Sequence, residues 1–298
     1  MTEPATLWVV ATPIGNLEDI TLRAVRLLKE APHVFAEDTE SAYRLFAKIG
    51  VKRGVDCYTE SRRDVGARRV IAFLEKGEDV ALISEAGTPG VSDPGADLVD
   101  RVRTAGYRVV PVPGASALTA LLSVAGKGTE RFWFEGYLPR QRGDRRRLLE
   151  SMAAWERPLV FFEAPHRLEE SLVDLAECLG PDRVALVARE LTKLHEEIRR
   201  DTLAGHLAWV KERPPRGECT LLVHPPGKAV DPAGVPRDDV ALLARLTALM
   251  RDEGLNRSKA AAKLAQESGV PRKEIYRLGL AESAEEPAEV PEDVGEEE

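Results

Sequence analysis

The chain has 298 residues, 43% of them hydrophobic, and a formal net charge of −8 at pH 7. That is enough to bury a sizeable core in two domains plus an appendage. No apolar run is long enough to span a membrane, and no basic-then-apolar signal opens the chain. Cys57, Cys178 and Cys219 are scattered and lack metal spacing, which reads as a reduced, cytoplasmic protein without zinc or another metal. The acidic charge is local. Residues 281–298 hold nine acidic side chains and no basic one, so 1–280 stands near +1, compatible with an RNA substrate.

In chain order, Leu7 to Ala11 reads as an apolar first strand with Thr12-Pro13-Ile14-Gly15-Asn16 as its turn. A helix follows over about 20–29, with Leu22, Val25 and Leu28 as its apolar stripe. His33–Ala36 is a second strand ending at Glu37-Asp38, and helices over about 41–49 and 66–76 flank a short segment near Cys57. Val80–Ile83 is a buried strand, and Tyr107–Val110 another, each followed by a helix. Strand alternating with helix at this spacing predicts a mainly parallel sheet. Lys127-Gly128-Thr129 marks a boundary between domains at 1–127 and 128–226. In the second domain, strands are predicted at 132–136, 159–163, 184–188 and 219–224, with helices at about 167–179 and 202–211. Residues 227–237 read as a proline- and glycine-bearing linker, 238–280 as three short helices and 281–298 as a disordered acidic tail.

Two strand ends carry the most information. Ser84-Glu85-Ala86-Gly87-Thr88-Pro89-Gly90-Val91-Ser92-Asp93-Pro94-Gly95 follows one strand, and Pro113-Gly114-Ala115-Ser116-Ala117 the next. Glycine and proline make such corners slim and tightly turned, and an open α/β sheet places its ligand crevice at strand ends of this kind. An ordinary strand-to-helix turn is the plain alternative. Neither loop matches the phosphate-binding G-x-x-x-x-G-K-[ST] or G-x-G-x-x-G patterns, and neither contains lysine. A ligand with one carboxylate, a ribose and an adenine, held mainly by backbone groups, suits them better; S-adenosylmethionine fits that description.

The runs SEAGTPGVSDPG and VPGASA, the opening VVATPIGNLEDITLRAVRLL, and AEDT, FFEAPHRL and ARELTKLHEE together resemble the bacterial 16S ribosomal RNA ribose 2′-O-methyltransferase I family of the tetrapyrrole methylase superfamily. The resemblance implies two α/β domains with the cofactor in the cleft between them, a cytidine of the small ribosomal subunit as target, and a homodimer. It also places Pro13, Ile14, Gly87, Thr88, Val91, Ser116 and Ala117 at the cofactor, with Leu191 and His224 as weaker candidates from the second domain; a lone histidine closing a strand is more often a surface residue. Thr88 and Ser116 serve equally as turn or N-cap residues. This chain departs from the family at Glu40, where an arginine is usual, and at 58–63, where a histidine- and asparagine-rich motif is usual.

Methyl transfer from a sulfonium to a hydroxyl gains most from positioning, helped by a base at the hydroxyl. Candidates are Asp38 and Glu190 with Lys193, beside Glu37 and Glu163; caps and salt bridges are their alternatives. Arg140, Arg142, Arg145, Arg146 and Arg147, joined by His166 and Arg167, form a cationic cluster whose mutual repulsion calls for an anion or acidic neighbours; phosphate contact is its natural use, and a solvated helix face the plain alternative. The 238–280 module resembles a helix-turn-helix suited to RNA docking, or a small bundle used in dimer contact. A tetrapyrrole C-methyltransferase, or an RNA-binding assembly factor without activity, are the rival readings.

Overall fold

The protein is described by a computed structural model covering residues 5–93, 95–213, 216–226, 239–268, 272–273 and 275–276. It divides into two compact units, 1–226 and 227–298. The expected linker (227–237) and acidic tail (281–298) lie outside the described residues. No described helix is long and apolar enough to cross a membrane.

The first unit holds two five-stranded sheets. β1 (Thr6–Val10), β2 (His33–Ala36), β3 (Asp56–Cys57), β4 (Val80–Ile83) and β5 (Arg108–Val112) run in the order β3-β2-β4-β1-β5. Every pairing in this sheet is parallel. Parallel strands bring all their C-terminal ends to one edge, so the loops after β1, β2, β4 and β5 gather there. β4 is buried on both faces, as its uninterrupted Val-Ala-Leu-Ile requires. Helices α1 (Leu22–Glu30) and α2 (Thr39–Ile49) cover one face, and α3 (Arg63–Glu75) and α4 (Ala96–Thr104) the other. The expected stripe on α1 is corrected. Ala24, Leu27 and Leu28 face the core, whereas Leu22 is 90% exposed, because it is the first residue of a helix capped by Thr21.

The second sheet contains β6 (Trp133–Tyr137), β7 (Leu159–Glu163), β8 (Val184–Arg189), β9 (Glu197–Thr202) and β10 (Cys219–Val223), in the order β6-β7-β10-β8-β9. It is mixed: β6 and β7 are parallel, and the other pairs antiparallel. α6 (Arg142–Met152), α7 (Leu168–Leu179) and α8 (Leu203–Glu212) cover its outer face. α5 (Ala117–Val124), leaving the first sheet, packs Leu121 against Val160, Leu186 and Leu222 on the inner face. Sequence reasoning passes over β9, whose Arg199, Arg200 and Asp201 show no apolar alternation. It is an edge strand, where charge blunts unwanted pairing.

In the second unit, α9 (Asp239–Asp252) and α10 (Arg257–Ser268) share a core of Leu246, Leu249, Ala260, Ala261, Leu264 and Ile275. Asn256 caps α10 by accepting from the Lys259 N–H at 3.0 Å.

Candidate functional site

Where the loop ends of the first sheet meet the second sheet there is a cavity of about 700 Å³, within the range of small-molecule sites. All eight residues expected at a cofactor, Pro13, Ile14, Gly87, Thr88, Val91, Ser116, Ala117 and Leu191, line it. The loops after β1 and β4 are tied by a two-way backbone bridge. Thr12 N–H donates to Gly87 O at 2.8 Å, and Gly87 N–H to Thr12 O at 3.1 Å. Gly87 turns at φ +80°, and a Cβ there would stand 3.4 Å from Ile14 Cγ2, against the cavity wall. Ser116 precedes α5 without making a side-chain cap, so its hydroxyl is not used as sequence reasoning allowed. Thr88 Oγ1 reaches Ala115 O at 3.4 Å, joining the two glycine corners.

The second sheet contributes the turn after β8. Glu190 and Thr192 both take left-handed backbone, at φ 52° and 66°, an uncommon and costly conformation for residues with a Cβ. Their neighbours hold them there. Thr192 Oγ1 accepts from Asn16 N–H at 3.0 Å, and Lys193 Nζ donates to Glu190 Oε1 at 2.9 Å. Gly217 stands at φ +80°, and a Cβ there would displace the Glu190 side chain from its present position. Glu190 and Lys193 thus line the cavity as an ion pair.

The cavity wall is acidic. Glu37, Glu85, Asp93, Glu190 and Glu218 line it, against Arg44 and Lys193. Asp93 is pushed up to about 7, by burial first and then by the charge of Glu37, with Glu218 and Glu85 adding to the effect and a hydrogen bond from Ser84 opposing it. Glu37 is raised by burial and by Glu85 and Asp38. Tyr137 is pushed up to about 12, again by burial and then by Glu218 and Asp93, and stays a neutral phenol. Phe162 packs edge-on to it with ring centroids 5.7 Å apart.

Asp38 lies outside the cavity lining and caps α2, its Oδ1 accepting from Glu40 N–H at 2.8 Å and Ser41 N–H at 3.4 Å. The Glu40 N–H bond holds its carboxyl below the usual range, which makes it a poor base. Glu163 is also spoken for. It is 1% exposed and accepts from Ser171 Oγ at 2.5 Å and Ala164 N–H at 2.9 Å.

Acidic neighbours share the arginine cluster's space. Arg145 is 2% exposed, with Nε and Nη2 each 2.7 Å from Asp174 and Nη1 donating to the carbonyls of Pro139 and Arg140. It is a core strut with no face for phosphate. Arg167 likewise spends its guanidinium on Leu138 O at 2.7 Å, Pro139 O at 3.1 Å and Glu163. Arg142 pairs with Asp174 and Glu177, Arg146 with Glu177 and Asp174, and Arg147 with Asp144. Burial alone would raise Asp174, but the hydrogen bonds from Arg142 and Arg145 outweigh it and hold the carboxyl low. Arg140 and His166 are exposed and make no side-chain hydrogen bond or ion pair among the described residues. His224, expected at the surface, is 4% exposed and is pushed down to about 4 by burial and by Arg200. It closes β10 beneath Val184 rather than lining the cavity.

Sequence reasoning missed Asp93, Glu218, Tyr137, Phe162 and Arg44 as cavity residues. Asp93 had a usable signal, a carboxylate inside a glycine- and proline-rich strand end. The others sit on elements whose approach to the first sheet is set only by tertiary packing. Among the described residues, no group of three His, Cys, Asp or Glu side chains is placed to hold a metal ion.

Residues 6–205 match the family model described as Tetrapyrrole (Corrin/Porphyrin) Methylases. The Pseudomonas aeruginosa protein named ribosomal RNA small subunit methyltransferase I is 45% identical over 278 residues, covering 92% of this chain and 96% of that one. The proteins of the same name from Synechocystis sp. and Escherichia coli O157:H7 are 41% and 40% identical, each over 92% of this chain and over 97% and 94% of their own lengths. Among solved structures, the methyltransferase CobJ superposes with a TM-score of 0.58 at 20% identity, over 76% of this chain and 98% of that one. A diphthine synthase superposes with a TM-score of 0.59 at 15% identity, over 74% and 90%. At those identities the structures speak for the fold alone.

Proposed function

The chain belongs to the ribosomal RNA small subunit methyltransferase I family of the tetrapyrrole methylases, and on that footing we propose that it methylates the ribose 2′-hydroxyl of a cytidine in 16S rRNA, using S-adenosylmethionine. The observation that carries the reading is the single cavity into which both glycine corners and the turn after β8 converge. Its residues suit the cofactor. The slim corners admit an adenosine and a carboxylate to backbone contact, and an acidic wall favours a cationic sulfonium while repelling phosphate. S-adenosylmethionine supplies an activated methyl group there. Pro13, Ile14, Gly87, Thr88, Val91, Ser116, Ala117 and Leu191 hold it, and the Glu190–Lys193 pair with Tyr137 faces the incoming ribose. The 2′-oxygen must then lie in line with the methyl, which is a task of positioning.

RNA phosphates stay outside the acidic cavity, on the exposed and unpaired Arg140 and His166. The 238–280 module adds a second RNA contact, and the enzyme works in the cytoplasm as a homodimer. Nucleotide-resolution mapping of 2′-O-methylation in ribosomal RNA, with and without the protein, tests the reading. One cytidine of the small subunit is expected to lose its methyl in the protein's absence; an unchanged map defeats the proposal. Label from the methyl donor appearing on a porphyrinoid would instead identify a tetrapyrrole methyltransferase.

A further inference from the structure

We propose that Asp93 takes the proton of the ribose 2′-hydroxyl, and that the cationic methyl donor primes it for this by binding beside it. The inference rests on the reading just given and names the proton acceptor that reading lacks. Asp93 lines the cavity on the same loop as Gly87, Thr88 and Val91. It is pinned at the seam between the two sheets. Its neighbour Ser92 takes left-handed backbone at φ 64°, and the Ser92 hydroxyl fills the space above Gly136 of β6 that a Cβ there would occupy. Strain of this kind at a residue with a Cβ persists only where the surroundings enforce it.

The other acids of the wall are less suited. Glu85 and Glu218 are exposed, and Glu190 is already paired with Lys193. Glu37 is half-buried and unpaired, but its effect on Asp93 is that of a like charge, which keeps a proton on the more buried partner. The groups facing Asp93 are Ser84 and Glu85 after β4, Glu37 after β2, Tyr137 on β6 and Glu218 ahead of β10, with Arg44 and Lys193 elsewhere in the cavity. Among the described residues, no cation is bonded to it. Without a ligand, burial and like charge therefore favour the protonated Asp93 carboxyl, pushed up to about 7.

A sulfonium in this wall supplies the missing positive charge and drives the carboxyl to its ionised form. As the 2′-oxygen forms its bond to the methyl carbon, the sulfur keeps the electron pair of the bond it loses and becomes a neutral thioether. The hydroxyl proton passes to the Asp93 carboxylate and then to solvent. Once the positive charge is gone, the carboxylate is again surrounded only by like charge, which favours accepting that proton. Priming and proton acceptance thus follow from one change of charge on the donor.

Donor binding to the full-length protein, followed by calorimetry at pH 6, 7 and 8 in two buffers of different ionisation enthalpy, tests this without RNA. The parent chain is expected to release a net fraction of a proton on binding, and more of it at pH 6 than at pH 8. Asp93→Asn should bind the donor within about tenfold of the parent but release none, and its methylation rate should fall on the order of 10²–10⁴-fold. Glu218→Gln removes a like charge, so less proton should be released at pH 7, and the acid limb of the rate profile should move to lower pH. Donor uptake without proton release by the parent, or an Asp93→Asn rate within tenfold of the parent's, overturns the inference. Absence of any donor uptake by the parent sinks the methyltransferase reading as well. If Asp93→Asn does not fold, the proton count of the parent and its change in Glu218→Gln decide the matter.

Discussion

Helix α6 and the cavity are both crowded with charge of one sign, and the fold treats them in opposite ways. On α6, Arg142, Arg145, Arg146 and Arg147 each meet a carboxylate, from Asp174 and Glu177 on α7 or from Asp144 on α6 itself. In the cavity, five acids face two cations, and those cations are already engaged, Arg44 with Glu40 and Ser41, Lys193 with Glu190. A compensated cluster is scaffolding. An uncompensated one, kept at a cost in stability inside a concave wall, marks a place prepared for a ligand of opposite charge.

The sharpest consequence is that one chemical change has opposite signs in the two regions. Asp174→Asn strands the buried Arg145 guanidinium without its counterion and is expected to cost about 3 kcal/mol of stability, read by denaturant unfolding. Asp93→Asn should stabilise. The raised folded-state pKa of Asp93, about 7, means that its neutral form suits the native protein. Its contribution is fully present below its unfolded value near 4 and is lost as pH rises through 7. At pH 8 the parent therefore carries a penalty that the variant lacks, on the order of 1–2 kcal/mol once solvent screening of a half-buried group is allowed for. At pH 3.5 the two should be equally stable. A variant less stable than the parent at pH 8 would show that Asp93 is scaffolding like Asp174.

How far each region is readable from sequence follows from where its partners lie. The glycine corners are local: Gly87, Thr88, Ser116 and Ala117 reach the cavity because parallel strands bring their loops to one edge, and strand–helix alternation announces that sheet. The arginines of α6 are just as local in sequence. What neutralises Arg142, Arg145 and Arg146 sits about thirty residues on, at Asp174 and Glu177, and nothing in the run Arg145-Arg146-Arg147 shows which face α7 covers. Phe162 and Tyr137 are invisible as site residues for the same reason, since only the docking of the second sheet brings them in. β9 escapes because an edge strand can be charged throughout, and periodicity then carries no signal.

Asp38 tests the comparison from the cap side. Its carboxylate belongs with the compensated groups, since two backbone N–H groups of α2 and the Ser41 hydroxyl already use it. Asp38→Ala should lower the melting temperature by about 2–4 °C, as loss of an N-cap does in a domain of this size, and leave the methylation rate unchanged. A rate loss larger than tenfold at a temperature where the variant is folded would return Asp38 to the catalytic group.

The smallest expected effect separates free from paired arginines on the RNA-facing side. Arg140 is exposed and unpaired among the described residues, whereas Arg147, although 79% exposed, is held by Asp144. Each phosphate contact contributes about one to the slope of log affinity against log salt concentration. Arg140→Ala should therefore reduce that slope by about one, and weaken rRNA binding only a few-fold at moderate salt. Removing Arg147 and Asp144 together takes away a neutral pair and should leave the slope where it was. If both variants lower it equally, pairing with a carboxylate does not withdraw an arginine from phosphate, and only burial, as at Arg145, separates the struts of α6 from its RNA contacts.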